Sequence, residues 1–292
     1  MYNVVGEKSS CKYINIRQLH HLIAMNPTYY DQIGEGYDRT RTADPHLTER
    51  LIAHLNPEKE DIFLDLGSGT GNYTAALRAL NLNVTGIDPS EEMIRLANKK
   101  FPEAPWKIGS AENIPFEDEA FDGVITTLTI HLWESLIKGF REVNRVTKEN
   151  GRLVIFTAMP HQMEHYWLNE YFPEIMKYYM NLMPGYASLQ ATLGATGWKL
   201  KAVEKYFVSQ ELKDLFLYSG KHRPELYFEA GFRSGIFVFG THHNPEDVQL
   251  GLQKLREDID SGKFEEVQKK YENNQGDYLF LVAEKKSQTE VI

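Results

Sequence analysis

Gly67, Gly69 and Gly71 stand at alternate positions in Asp65-Leu66-Gly67-Ser68-Gly69-Thr70-Gly71-Asn72. Glycines spaced in this way let a ligand approach the backbone without meeting a Cβ. The apolar run from Ile62 to Leu66 suits an inner strand of a parallel sheet, and the residues after Gly71 read as a helix. A helix start brings orphan N–H groups and a positive dipole end to the ligand, so the stretch is expected to hold a carboxylate or a phosphate. Spacing narrows the choice. A dinucleotide loop requires G-x-G-x-x-G, and Asn72 stands where its last glycine belongs, while no lysine follows the glycines as a P-loop would require. Asp88, at the end of the next strand, is placed to accept hydrogen bonds from two ribose hydroxyls. A ribose beside an anion-accepting turn points to a nucleoside joined to an amino acid.

These residues need a sheet behind them, and the hydropathy pattern supplies one. Short apolar runs at 62–66, 83–87, 106–108, 123–127, 152–157, 198–208 and 277–283 read as strands. Between them lie amphipathic stretches: a helix capped by Asp44 with Pro45 at its first position and Leu47, Leu51, Ile52 and Leu55 on one face; a helix over 71–80; one led by Pro89, Ser90, Glu91 and Glu92; and one carrying Leu136, Ile137, Phe140, Val143 and Val146. Strand–helix alternation predicts an α/β fold, a doubly wound, mostly parallel sheet of seven strands. Residues 159–183 break the pattern with Met163, Tyr166, Trp167, Tyr171, Phe172, Met176, Tyr178, Tyr179, Met180 and Met183, expected to form an α-rich lid or pocket wall. Two further helices are expected at the Asn244-Pro245 cap and around 264–271. The chain then divides into a loosely ordered extension over 1–24, a cofactor-binding core over 25–158, lid and substrate-binding insertions over 159–275 that include the sixth strand, and a closing strand with its tail over 276–292.

Composition limits the partners. With 41 acidic and 32 basic residues among 292, a net charge of −9, the chain lacks the basic footprint that a nucleic-acid backbone requires. Cys11 is the sole cysteine, which excludes a disulfide framework within the chain and suits a reducing cytoplasm. No apolar run has the length of a signal peptide or a membrane span. His161 and His165 fall at helical spacing, but no further ligand accompanies them, and no metal is expected.

Leu64-Asp65-Leu66-Gly67-Ser68-Gly69-Thr70-Gly71 resembles the first motif of the class I S-adenosylmethionine-dependent methyltransferases, in particular the branch acting on small metabolites and lipids. Downstream stretches are similar to further motifs of that family in the expected order. Ser110-Ala111-Glu112-Asn113-Ile114-Pro115-Phe116 is similar to the third, with Ser110 where aspartate is usual. Phe121-Asp122-Gly123-Val124-Ile125-Thr126-Thr127-Leu128-Thr129-Ile130-His131 resembles the fourth, and Arg145-Val146-Thr147-Lys148-Glu149-Asn150-Gly151-Arg152-Leu153-Val154-Ile155 the turn into the fifth strand, with Glu149-Asn150 replacing Pro-Gly.

The resemblance implies a Rossmann-like methyltransferase fold with S-adenosylmethionine as cofactor and S-adenosylhomocysteine as product. It further implies cofactor contacts from Asp65, Gly67, Ser68, Gly69 and Gly71 at the methionine end, from Asp88, Pro89, Ser90 and Met93 around ribose and adenine, from Ser110, Ala111 and Glu112 at the adenine, and from Thr127 and Leu128 near the reacting methyl. Tyr37, Arg41 and Tyr73 are expected to close over the cofactor, Arg41 on its carboxylate. His131, after the fourth strand, is the candidate general base, in a position where a histidine can also contact the cofactor or simply pack. Tyr29, Trp133, His165 and Tyr166 are the candidate substrate pocket for a partly apolar acceptor methylated on O, N or C. The competing reading is a non-catalytic S-adenosylmethionine-binding or regulatory protein on the same fold.

Overall fold

The computed structural model describes residues 38–241 and 244–287. Tyr29, Tyr37 and the expected extension over 1–24 lie outside the described residues.

The first helix, α1 (Pro45–Leu55), starts where its sequence predicts. Asp44 Oδ1 accepts the Leu47 amide at 3.0 Å, Pro45 occupies the first turn, and Leu47, Leu51 and Leu55 are buried. After it come β1 (Ile62–Leu66), α2 (Asn72–Ala79), β2 (Asn83–Asp88), α3 (Glu91–Lys100), β3 (Trp106–Ile108) and β4 (Phe121–Thr127). A 3-10 turn (Ile130–Leu132) leads to α4 (Leu136–Val146) and β5 (Thr147–Thr157). Four helices follow: α5 (Pro160–Met163), α6 (Leu168–Tyr171), α7 (Pro173–Leu182) and α8 (Tyr186–Ala195). Then come β6 (Trp198–Tyr206), short turns over 224–241, α11 (Pro245–Asp260), α12 (Phe264–Lys270) and β7 (Tyr278–Lys285); the two small helices within those turns, Ala230–Ser234 and Phe237–Thr241, are α9 and α10.

The seven strands form one sheet in the order β3-β2-β1-β4-β5-β7-β6. The β1–β2, β1–β4, β2–β3 and β4–β5 pairs are parallel, whereas β7 runs antiparallel to both β5 and β6. Strand order therefore reverses between β1 and β4, and ligands of such sheets sit beyond the carboxyl ends of the strands at that switch point. Successive strand residues feed opposite faces. Phe63, Val84, Ile125, Val154, Phe156 and Phe280 join one apolar core with α1 and α2, while Leu64, Ile87, Val124, Leu153, Ile155 and Leu281 join a second with α4 and α8.

The aromatic and methionine segment after β5 packs mostly into the core, and Tyr171, Phe172 and Ile175 also line a cavity at its surface. Met163, Tyr166, Trp167, Tyr171, Phe172, Met176 and Met183 are buried in the first core, with Tyr178, Tyr179 and Met180 packed against it. Tyr166 stacks on Tyr218 at a ring distance of 3.7 Å, and the Trp167 indole donates to the Lys221 carbonyl. Apolar bulk after β5 thus builds one side of the molecule.

Trp106, at the edge of the sheet, fills space that two glycines leave open. A Cβ on Gly71 would lie 2.3 Å from the Trp106 ring, and one on Gly86 would lie at the same distance. Only Gly71 also has a left-handed backbone, at φ 84°. Gly86→Ala should therefore cost roughly 1–3 kcal/mol by overpacking alone. In urea denaturation most of that cost should vanish in a Trp106→Leu background, whereas the cost of Gly71→Ala should persist there because its backbone strain remains.

Candidate active site

The turn between β1 and α2 is held by its own hydrogen bonds. Gly67 and Ser68 amides both donate to the Ile87 carbonyl at 2.9 Å, and the Gly71 amide donates to Ser68 O at 2.9 Å. Asp88 completes the arrangement: Oδ2 accepts the Gly69 amide at 2.9 Å and Oδ1 accepts the Ser90 amide at 3.0 Å. The amides of Gly67, Ser68, Gly69 and Gly71 thus all bond within the protein. Gly67, Gly69 and Gly71 all have positive φ. A Cβ on Gly67 would sit 2.6 Å from the Thr129 side chain, so this position tolerates glycine alone.

Above the turn lies a narrow cleft of about 40 Å³, lined by Arg41, Thr42, Gly67, Ser68, Gly69, Thr70, Asn72, Tyr73, Thr127 and Asp214. Segment 38–44 forms one wall and is tied to the turn: Thr70 Oγ1 donates to Asp38 at 2.5 Å, Asn72 Nδ2 donates to Arg41 O at 3.1 Å, and Lys100 pairs with Asp38 at 2.8 Å. Arg41 grips Asp214 with its whole fork, Nε to Oδ1 at 2.6 Å and Nη2 to Oδ2 at 3.1 Å. The Tyr73 hydroxyl donates to the same Oδ2 at 3.1 Å. Burial, then the neighbouring Asp214 charge, pushes the Tyr73 phenol well above its usual range, so it remains a donor.

Other expected residues sit deeper or elsewhere. Asp65 is buried beneath the turn, where Oδ2 accepts the Thr74 hydroxyl at 2.6 Å. Ser90 caps α3, its Oγ accepting the Met93 amide at 3.1 Å, and Met93 is buried behind it while Pro89 is exposed. Ser110 is half-buried and bridges to Asn113, Ala111 is in the second core, and Glu112 Oε1 accepts the Ser135 amide at 3.0 Å at the head of α4. Thr127 lines the cleft and Leu128 turns the chain with φ 56°. His131 is buried, its Nε2 3.4 Å from the Tyr179 hydroxyl and its ring edge-on to that tyrosine.

Three residues expected in the substrate pocket pack differently. Trp133 is in the second core against Phe140 and Gly139, at a ring distance of 5.0 Å from Phe140. Tyr166 is fully buried and donates to the Asp277 carbonyl. His165 Nε2 meets Gln275 Nε2 at 3.1 Å. In each case apolar packing or a local hydrogen bond accounts for the side chain without a ligand. Sequence reading missed Asp214, Thr42, Thr70 and Asn72; Thr70 and Asn72 lie inside the motif itself, whereas nothing in the sequence around Asp214 marks it.

The sequence pattern of a family described as "Methyltransferase domain" matches residues 64–155. The demethylmenaquinone methyltransferase of Thermotoga maritima is 34% identical over 141 residues, which cover 45% of this chain and 60% of that protein. The enzyme of the same name from Chlorobaculum parvum is 27% identical over 190 residues, 63% of this chain and 75% of that one. Among solved structures, a putative methyltransferase from an antibiotic biosynthesis pathway of Anabaena variabilis superposes with a TM-score of 0.74 at 31% identity, covering 83% of this chain and 98% of its own. Sheet order and glycine turn define a Rossmann-like methyltransferase. The chain belongs to the class I S-adenosylmethionine-dependent methyltransferases of the small-molecule type, a family of enzymes.

Burial raises the Asp65 carboxyl to about 7, with the nearby Asp88 charge adding to the shift and the Thr74 hydroxyl opposing it. Because the unfolded chain ionises this group near 3.8, the folded protein binds the extra proton between pH 4 and 7. Asp65 therefore contributes stability below pH 4 that is lost as pH rises through 7, on the order of 4 kcal/mol for a fully buried group. Asp65→Asn should leave stability at pH 4 close to wild type. It should then gain progressively over wild type towards pH 8, as read by urea denaturation across that range.

Proposed function

We propose that the cleft over the glycine turn receives the methionine end of S-adenosylmethionine and that the ribose lies on Asp88. The acceptor on this reading is a small, partly apolar metabolite. The observation that carries the reading is the built turn itself: three left-handed glycines under an open cleft, with a carboxylate at the end of β2. The residues present fit such a donor. Ser68 Oγ and Asp65 Oδ1 are buried polar atoms with no protein partner among the described residues, directly at and beneath the turn. The Asp88 bonds to Gly69 and Ser90 fix its carboxylate plane, and each oxygen can accept more than one hydrogen bond.

When bound, the donor supplies a methyl group on a positively charged sulfur, already activated for transfer. The work left to the chain is alignment and exclusion of water. Thr127 and the strained Leu128 bring the end of β4 to the cleft, and His131 follows one turn later. In our reading His131 takes the acceptor's proton, with the Tyr179 hydroxyl at its Nε2 setting the orientation of the ring. The first core, dense in aromatics, provides the apolar side against which the acceptor would lie. The insertions over 159–275 are, on this reading, the acceptor side of the enzyme. Two relatives are named for methylating demethylmenaquinone, so demethylated quinols are the acceptor class to try first. A cytoplasmic location and the absence of a nucleic-acid partner accord with the lone Cys11 and the net charge of −9. No helix among the described residues is long and apolar enough to cross a membrane.

Incubation with donor labelled on its methyl group and a panel of quinols, phenols and amines should transfer label to an apolar acceptor. Donor binding without transfer to any member of the panel would instead favour the non-catalytic alternative. Asp88→Ala should lower donor affinity by about 10- to 100-fold in calorimetry. An unchanged affinity would remove Asp88 from the ribose. His131→Ala should reduce kcat by roughly 10²–10⁴ with donor affinity retained, and full turnover in that variant would exclude it as the base.

A further inference from the structure

We propose that the groove between α11 and the corner of α6 and α7 is a self-association surface, covered by the same groove of a second copy of this chain in a two-fold, antiparallel contact. The groove encloses a cavity of about 280 Å³ and shares no lining residue with the cleft over the glycine turn. It is therefore independent of what that cleft binds.

The walls of the groove are apolar and incomplete. Phe172 and Ile175 line one side, and Leu250 stands on the other with 64% of its surface exposed, the highest value for any large apolar side chain among the described residues. Gly251 lies at the floor. A Cβ there would sit 2.3 Å from the Tyr171 carbonyl oxygen, so α11 approaches the end of α6 closely and Leu250 is left at the rim. An isologous contact would withdraw the Leu250 of both copies from water at once.

The charges at its two ends select the occupant. Asp247, Leu250, Gly251 and Lys254 lie within two turns on one flank of α11, all facing the groove. Asp247 marks one end and Lys254 the other, and the Leu250–Gly251 peptide is midway between them. A second copy laid antiparallel about that midpoint sets each Asp247 against the other copy's Lys254, and each Leu250 against the other copy's Gly251. Both ion pairs form at the same time. Asp247 has no ion-pair partner among the described residues. Lys254 donates to Glu170 O and Oε1, both at 2.9 Å, which leaves its third N–H for an acceptor outside the chain. A parallel copy would oppose like charges at both ends, and an uncharged ligand would leave both ends unpaired.

Sedimentation velocity of the full chain over a concentration series should show a reversible monomer–dimer equilibrium. Leu250→Asp should weaken it at least about tenfold. Asp247→Lys and Lys254→Asp each bring like charges together, and each should sediment as a monomer where the wild type is dimeric. Mixed in equal amounts, the two variants should recover the dimer, because every ion pair of the mixed contact then joins opposite charges. A wild type that stays monomeric, or a dimer that withstands Leu250→Asp and both reversals, would overturn the proposal. So would a mixture that stays monomeric although both variants keep the wild-type circular dichroism spectrum. Leu250 is exposed in the single chain, so Leu250→Asp leaves the fold intact and decides the matter even where a charge reversal fails to fold.

Discussion

The turn between β1 and α2 must reverse direction at the sheet's switch point while leaving room above itself, and the surrounding structure is subordinate to that demand. Left-handed glycines solve the sterics, since a Cβ at Gly67 or Gly71 would strike Thr129 or Trp106. Amide bonds to Ile87 O and Asp88 then fix the turn against β2. Because β2 and β4 flank β1 in parallel register, the same placement brings Asp88 to one side of the turn and Thr127 to the other. A shift of the β1–β2 register by one residue would move both the Ile87 carbonyl and the Asp88 carboxylate away from their amides. Sheet pairing and site geometry are therefore one constraint.

A second layer closes over the first. Asp38, Arg41 and Asp44 on the segment before α1 reach the turn, α3 and the segment after β6, so elements from the beginning and the later part of the chain meet at one cleft wall. The contacts are polar and several are only partly buried, and each exposed pair is worth about 1 kcal/mol or less. The Arg41–Asp214 pair differs because its carboxylate is sealed from water. Removing either partner would leave a buried charge uncompensated, at a cost of roughly 3–5 kcal/mol for pairs of this kind.

Much of this architecture is legible in the sequence. The strand over 62–66 and the β3 segment over 106–108 are found as expected, and the α1 cap at Asp44 and the α11 cap at Asn244 both accept backbone amides as their sequences predict. Those features follow local rules: an apolar run bounded by glycine, or a capping side chain before proline. The glycine spacing and Asp88 were readable for the same reason, since the turn's conformation is dictated by its own residues. Helix α8 was not readable, because its hydrophobic residues are spread around the helix and form no stripe. Asp214 was not readable at all, as its role comes from two residues distant in the chain that only the fold assembles.

The acceptor side shows where sequence reading fails for a physical reason. Tyr166, Trp133 and the methionines after β5 are chemically equal candidates for a pocket and for a core, because burial against protein and burial against ligand remove the same apolar area from water. What separates the two is the polar end of each side chain. The Tyr166 hydroxyl is satisfied by the Asp277 carbonyl and the Trp167 indole by the Lys221 carbonyl, so both are fixed by the protein. His131, just after β4, instead pairs side chain to side chain with Tyr179 of α7, near the end of the strand that borders the cleft. A side-chain partner can turn with its neighbour when a substrate arrives, whereas a backbone carbonyl in a packed core cannot. That difference in freedom is why the proposed acceptor side is set at the His131–Tyr179 edge rather than at Tyr166 or Trp133.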